Sequence, residues 1–254
     1  MVLSGDGGPA FNMGLDYAFW QSVKQRRSPP TLRFYQWKPA SVSIGYRQSP
    51  EKLVNVSFCH SVGIPIVSRP TGGSALFHDL EIPYSFTAGQ TDHSCFASPL
   101  SSYLAICAGL STGLKLLGIN AEVRGYSSSE EPTFSQKDCF SLSSRHDLVV
   151  KGKKIVGSAQ KRDRFSFLQH GAILLAIRKE WWQKIFIQKV DFSAITCVSD
   201  HISSTPEPKV ILDCLVRGFS QVFQKKFLVL SPTEEEIQQA KHYASTFFRC
   251  LNLS

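Results

Sequence analysis

Residues 149–175 read VVKGKKIVGSAQKRDRFSFLQHGAILL, and this stretch decides the fold class of the chain. It predicts two β-strands that flank a basic turn containing Gly and Ser, with Lys153 and Lys154 where the first strand ends. Elsewhere, predicted helices separate predicted groups of strands. This alternation predicts an α/β protein with a mixed sheet.

The remaining elements follow from apolar periodicity and from caps and breakers. A helix pattern of apolar residues predicts helices over residues 12–27, 50–62, 99–117, 179–187, 209–227 and 234–248. Alternation and β-forming residues predict strands over residues 32–37, 41–46, 64–67, 74–86 (interrupted near His78) and 121–126. Residues 127–138, SSSEEPTFSQKD, predict a mobile loop.

Composition predicts a soluble globular protein, since the chain of 254 residues is 43% hydrophobic and 19% charged. No apolar run is long enough to span a bilayer, and the first residues lack the features of a secretory signal. We therefore expect a cytoplasmic protein that does not bind a membrane. The net charge of +8 fits general solubility, weak nucleic-acid affinity or attraction toward an acidic partner such as a carrier protein. Without an RNA-binding signature, we expect no specific nucleic-acid partner.

The seven cysteines are odd in number and contain no CxxC pair, so the sequence predicts neither a disulfide framework nor a zinc site. Most of them are expected to be free thiols, and those other than Cys139 mostly have apolar neighbours typical of the core. Cys139 differs because its neighbours, SQKDCFSLSS, are polar and adjoin the predicted loop. It is either an incidental surface thiol or, if an ammonium group lies close, a nucleophile.

Two further stretches carry side chains and backbone groups that suit acyl transfer. In residues 69–79, RPTGGSALFHD, adjacent glycines allow backbone N–H groups to approach a ligand, and Arg69 adds a permanent cation. The alternative interpretation of the same residues is a tight turn with a surface arginine. Of the adjacent Lys153 and Lys154, one must face the opposite side of the sheet, where a lysine is costly unless it meets an anion. Two solvated lysines are the alternative. His78 and His170 are predicted to be structural or to orient substrate.

These motifs together resemble the lipoate branch of the biotin/lipoate protein ligase superfamily. RPTGGSALFHD is similar to the family loop RRxxGGGxVFHD, and residues 152–162 and 168–175 are similar to GrKIxGsAqrr and lqHGsiLL. The resemblance covers residues 9–175. It implies a catalytic domain with a mixed, largely antiparallel sheet flanked by helices. We expect one such domain over residues 1–254, with residues 205–254 as a C-terminal helical extension.

Within this superfamily, the pair Cys139-Phe140 most resembles the cysteine-dependent octanoyl-carrier-protein:protein octanoyltransferases. The resemblance implies that Cys139 accepts an octanoyl or lipoyl group as a thioester, that Lys154 polarises its carbonyl, and that a lipoyl-domain lysine then takes the group. The implied reaction needs no cofactor or metal, and octanoyl-carrier protein is its expected donor. The implied substrate-binding residues are Arg69, Thr71, Gly72, Gly73, Ser74, Ala75, Leu76, Phe77, His78, Gly157, Ser158, Ala159, His170 and Gly171.

Three departures keep other functions open. Ser68 and Ser74 replace an arginine and a glycine or arginine of the family loop. Residues 144–147, SRHD, resemble the Gly-Arg-Asn-Asp of ATP-dependent lipoate ligases. The second hypothesis is therefore a ligase that uses ATP and Mg to activate free lipoate. In this reaction Lys154 takes part and Cys139 does not. The third is a non-catalytic protein that binds an acyl group or a carrier.

Overall fold

The structure is a computed structural model, and it describes residues 1–125, 147–204 and 206–248. Its strands are β1 Val2–Gly7, β2 Thr31–Trp37, β3 Ser41–Ile44, β4 Ile66–Ser68, β5 Leu76–His78, β6 Glu81–Gly89, β7 Glu122–Val123, β8 Leu148–Val150, β9 Lys153–Arg162 and β10 Ser166–Leu174. Its α-helices are α1 Pro9–Lys24, α2 Val56–Ser61, α3 Pro99–Leu116, α4 Lys179–Ile185, α5 Pro208–Phe223 and α6 Glu234–Thr246. The predicted loop over residues 127–138, Cys139 and Cys250 lie outside the described residues.

The large sheet has the strand order β1-β2-β6-β10-β9-β8-β7, and every pair except the parallel β1–β2 is antiparallel. A three-stranded sheet, β4-β3-β5, lies beside it and combines one parallel with one antiparallel pair. This arrangement confirms the predicted mixed, largely antiparallel sheet with helices.

The opening stretch contains three strands instead of the two predicted. Its basic part, read as a turn, is the ten-residue strand β9, which pairs with β10 in register from Val156↔Ile173 to Arg162↔Phe167. Gly157 and Ser158 pair with Ala172 and Gly171, because small residues on both strands let the backbones approach. The turns lie instead at residues 151–152 and 163–165.

Helices cover both faces of the large sheet. Helix α1 begins with Pro9 at its first position and packs against β6 and β10 on one face and against α6 outside. Helix α3, whose Ser98 and Ser101 form a capping box, packs with α5 on the other face. The main core lies between that face and these two helices, with Tyr84, Ile106 and Phe219 fully buried.

Several predicted boundaries were wrong. Residues 50–62 form a short 3-10 turn and then α2, because buried Val54 pairs with Phe186 and Asn55 caps a new helix. The interruption in residues 74–86 is a change of sheet, with β5 in the small sheet and β6 in the large one. Helix α5 stops at Phe223 because Gln224 adopts a left-handed φ of 50°. Strand β1 was not predicted.

Candidate active site

Lys154 is the lysine of the predicted pair that turns inward from the sheet. Its side chain is 38% exposed, and its Nζ lies 2.8 Å from Asp147 Oδ2, an oxygen of a carboxylate that is only 6% exposed. Its neighbour Lys153 is exposed. The buried carboxylate meets the requirement that an inward lysine find an anion, and it directs the ammonium group toward a cavity.

This cavity has a volume of about 370 Å³, within the range of small-molecule pockets. We call it the acyl pocket, after the acyl group that the motif resemblance leads us to expect there. Its walls come from α1, both sheets, the loop before β5, α4 and the segment after α4. It is lined by Met13, Tyr35, Trp37, Ser43, Arg69, Gly73, Ser74, Ala75, Leu76, His78, Asp147, Lys154, Gly157, Ser158, Ala159, His170, Gly171, Ala172, Leu174, Trp182 and Ile195.

Two glycines make room for Lys154 and for the strand pairing around it. A Cβ on Gly157 would lie 3.0 Å from Lys154 Cε and 3.3 Å from its Nζ. A Cβ on Gly171 would lie 2.1 Å from the Gly157 carbonyl oxygen, closer than any real Cβ contact. The wall of the pocket beside the ammonium group is therefore built from bare backbone.

The guanidinium group of Arg69 donates hydrogen bonds to its own loop and to β3. Its Nε and Nη2 donate to the Gly72 carbonyl, Nη2 also donates to the Ser74 carbonyl at 2.6 Å, and Nη1 donates to the carbonyl and hydroxyl of Ser43. Burial lowers the pKa of the guanidinium to about 10. In these contacts Arg69 braces the loop that lines the pocket.

Behind the opposite wall lies a buried polar network. His170 Nε2 lies 2.6 Å from the Thr71 hydroxyl, and its Nδ1 lies 3.2 Å from Asp16 Oδ2. Asp16 also accepts hydrogen bonds from Arg33 Nη1 at 2.6 Å and from Ser85. Since an ionised carboxylate only accepts, Nδ1–H donates to Asp16 and Nε2 accepts from Thr71. The network ties the loop of residues 69–73 to α1 and to β10.

Burial and charge act in opposite directions on this network. Burial raises the pKa of Asp16, but Arg33 and His170 outweigh it and leave the pKa below its ordinary value. Burial also lowers the pKa of His170, and the neighbouring Asp16 offsets this only in part. At neutral pH the site therefore contains an ionised Asp16 and a neutral His170.

His78 is held from two sides at the end of the pocket. Its ring stacks on Trp37 with centroids 3.8 Å apart, Nε2 lies 2.7 Å from the Ser43 hydroxyl, and Nδ1 pairs with Glu81. With both nitrogens occupied, His78 orients its neighbours and has no ring nitrogen directed into open space.

Most residues singled out in the sequence meet at this pocket. Thr71, Gly72 and Phe77 are not on its wall. Thr71 contacts His170 from behind, Gly72 accepts from Arg69, and Phe77 is buried in an apolar cluster around the small sheet. Cys139 lies outside the described residues. Sequence reasoning missed the contributions of Met13, Trp37 and Trp182, which read as ordinary core residues because their partners are distant in sequence.

Two features of the described residues concern metal ions and membranes. Across residues 1–125, 147–204 and 206–248, no group of three or more His, Cys, Asp and Glu side chains is placed to hold a metal ion. Over these same ranges, no helix has both the length and the apolar character needed to cross a bilayer. The five described cysteines are free, and four of them are buried.

The fold is that of lipoate-protein ligases. A crystal structure of lipoate-protein ligase A bound with ATP matches with a TM-score of 0.80 and 23% identity, over 96% of this chain and 94% of that chain. A bi-partite lipoate protein ligase from Thermoplasma acidophilum matches with a TM-score of 0.75 and 22% identity, over 96% and 91% of the two chains. At these identities the likeness concerns architecture alone.

Sequence comparison carries the assignment further. Residues 8–220 match the lipoyl protein ligase A/B catalytic domain, and the chain belongs to that family. It is 33% identical to the octanoyltransferase LipM of Bacillus subtilis over 96% of this chain and 92% of that protein. It is 32% identical to the octanoyltransferase LipM of Brevibacillus brevis over 94% and 91% of the two chains.

Proposed function

We propose that this chain transfers an octanoyl or lipoyl group to the acceptor lysine of lipoyl domains, by way of a thioester on Cys139. The observation that carries the proposal is the ammonium group of Lys154, held by Asp147 at an acyl pocket in a relative of octanoyltransferases. An ammonium group placed there stabilises negative charge that develops on an acyl carbonyl oxygen.

The reaction has two steps. The Cys139 sulfur forms a bond to the carbonyl carbon of a carrier-bound acyl thioester, the bond to the carrier sulfur breaks, and the carrier thiol takes the proton. The amine of the acceptor lysine then attacks the Cys139 thioester, an amide forms, and Cys139 is released as a thiol. The first step exchanges one thioester for another, and the second converts a thioester into a more stable amide, so this reaction consumes no ATP.

The pocket supports the acyl end of this scheme. Each methylene that moves from water into an apolar pocket contributes about 0.8 kcal/mol. The side chains of Met13, Leu76 and Leu174 line the pocket, and small residues of β9 and β10 leave space between them. A medium-length acyl chain can therefore lie against these walls with its carbonyl beside Lys154.

Intact-mass measurement of the protein and of an apo lipoyl domain tests this function. One incubation contains octanoyl-carrier protein without ATP, and the other contains free lipoate with ATP and Mg. We expect an octanoyl adduct on the protein and modification of the acceptor in the first incubation. Cys139→Ser should abolish the adduct, and Lys154→Ala should slow its formation by at least about 100-fold.

Matched controls make the result specific. Cys95→Ser removes the least buried of the described cysteines, and Lys115→Ala removes an exposed lysine on α3; neither should change the rates. Modification only with lipoate and ATP would make the chain a ligase and Cys139 a bystander. Binding of the lipoyl domain without modification in either incubation would establish the binding-only alternative.

A further inference from the structure

A second concave surface adjoins the acyl pocket. It has a volume of about 470 Å³ and lies between the β8–β9 turn, the start of α4 and the segment of residues 192–201. Three lysines line it: Lys151, Lys153 and Lys179. We call this surface the lysine groove. Its volume is that of a small-molecule pocket, so it suits a compact anionic group better than the broad face of a protein.

Two cations near the groove are paired with carboxylates, and the three lysines of the groove differ from them. Lys154 pairs with Asp147, and Arg178 pairs with Asp79. Within the part of the chain that the structure describes, none of Lys151, Lys153 and Lys179 forms an ion pair with a carboxylate. Like charges that gather in one groove without a counter-ion repel one another, and an anion that binds among them relieves this repulsion.

The groove also contains Asp200 and His201, but Asp200 is directed at its own segment. Its Oδ2 accepts from the Thr196 hydroxyl at 2.8 Å and from the Cys197 backbone N–H at 3.1 Å, while Thr196 also contacts His201. One carboxylate against three lysines leaves the groove with net positive charge at neutral pH.

Lys151 occupies an unfavourable backbone position. It has a φ of 51° and precedes Gly152, with a φ of 76°, in the two-residue turn between β8 and β9. Such turns favour Asn or Gly at the first position, because a side chain in the left-handed region costs about 1 kcal/mol. A lysine at this position costs stability, and it places a cation at the groove.

The lysine groove and the acyl pocket share a wall. Ile195 lines both, and its neighbour Thr196 donates its backbone N–H to the Lys154 carbonyl at 2.8 Å. Lys154 faces the pocket, and adjacent Lys153 faces the groove. A ligand that extends past Ile195 can therefore have an acyl group at Lys154 and an anionic group in the groove.

We propose that the lysine groove binds the phosphate of the phosphopantetheine arm that carries the acyl thioester donor. The inference rests on the proposed function, since it identifies the end of the donor opposite to the acyl chain. Such an arm belongs either to a carrier protein or to coenzyme A. The groove recognises the phosphate that both contain.

Binding of 4′-phosphopantetheine and of pantetheine to the full chain tests the groove without any turnover. We expect the phosphorylated compound to bind at least about tenfold more tightly, the difference that one or two charge-assisted hydrogen bonds make. The double variant Lys151→Glu/Lys153→Glu, and separately Lys179→Glu, should remove this difference. Equal binding of the two compounds by the unmodified chain, or a difference that survives in both variants, would overturn the proposal.

Lys225→Glu/Lys226→Glu is the matched control, since it makes the same change in net charge at exposed positions. These lysines follow α5, whose Phe223 packs on Phe96 beside Arg162 at the far end of β9. The control should keep the difference between the two compounds. Thermal unfolding of every variant verifies that the fold is intact.

Rates of adduct formation on the protein then identify the source of the phosphate. The donors are octanoyl-carrier protein, octanoyl-coenzyme A and octanoyl-pantetheine, which lacks phosphate. We expect Lys151→Glu/Lys153→Glu to slow the first two by about tenfold or more and to leave the third unchanged. Slowing of the carrier-protein arm alone would mean contact with the carrier's surface, and equal slowing of all three would mean an effect on the fold; either overturns the proposal.

The two hypotheses fail in different ways. If the unmodified chain forms no adduct with any of the three donors, the proposed transfer is refuted, while the comparison of 4′-phosphopantetheine with pantetheine still decides whether the groove binds phosphate. If adducts form at rates that do not depend on the phosphate or on the lysines, the transfer stands and the groove proposal is refuted.

Discussion

At the scale of single residues, the site depends on how closely Lys154 is surrounded. Asp147 orients its ammonium group from one side, and the bare backbone of Gly157 leaves space on the other. Catalytic groups act through their position, and displacement by about 1 Å can cost 100-fold in rate. In the proposed reaction, the absence of a side chain at Gly157 therefore matters as much as the presence of Lys154.

Gly157→Ala tests this point. The added Cβ would meet the flexible end of Lys154, which can move aside, so we expect thermal stability to change little. The ammonium group would move, and we expect adduct formation to slow by roughly 10- to 100-fold. Gly8→Ala is the control, because its added Cβ would meet no atom within 4 Å. An unchanged rate in Gly157→Ala would show that the position of Lys154 is not critical.

At the scale of elements, helices α3 and α5 approach so closely that only glycine fits at their contact. A Cβ on Gly218 would lie 2.3 Å from the Gly113 backbone nitrogen and 2.5 Å from the Gly109 carbonyl oxygen. These are backbone atoms of α3, which cannot move without moving the helix. The pair covers the core beneath β6, β9 and β10.

The substitution Gly218→Ala has two opposing effects on stability. Alanine favours a helix over glycine by about 1 kcal/mol, whereas overpacking of a tight contact costs about 1–3 kcal/mol and forces the helices apart. We expect overpacking to dominate and the melting temperature to fall by roughly 2–4 °C per kcal/mol lost. Arg217→Ala, at an exposed position of α5, is the control. A variant Gly218→Ala as stable as the parent would disprove the close contact.

At the scale of the whole molecule, the buried network of Asp16, His170 and Thr71 couples α1, β10 and the loop before β5. These three residues are contributed by segments far apart in the chain, and the network exists only in the folded state. Its pKa shifts therefore connect the stability of the entire fold to pH.

His170 sets the direction of this dependence. Its pKa is lowered on folding, so between the folded value and about 6.5 the unfolded chain binds more protons. The contribution of His170 to the free energy of unfolding is therefore complete above about pH 6.5, and it is lost as the pH falls from there through the pKa of the folded state. In urea titrations at several pH values, His170→Gln should flatten this dependence, whereas His60→Gln, at an exposed position, should not. An unchanged slope in His170→Gln would contradict a buried neutral His170.

The sequence by itself determined the elements whose signals are local. Alternating β-formers marked β10 and the start of β9, the apolar run after Pro99 marked α3, and the start signal Ser231-Pro232-Thr233-Glu234 marked α6, since strand patterns and caps depend on near neighbours. The motif resemblance likewise indicated the superfamily and the loop of residues 69–79. These signals did not reveal β1 or the division of residues 74–86 between two sheets.

Only the tertiary structure decided how these pieces act on one another. It gave Lys154 its carboxylate, turned the donors of Arg69 into its own loop and placed Thr71 behind His170, 99 residues away. It also gathered Lys151, Lys153 and Lys179 around one groove beside the pocket. The physical reason is that pairing of buried charges, and the approach of backbones at Gly157, Gly171 and Gly218, depend on contacts between segments that no local pattern encodes.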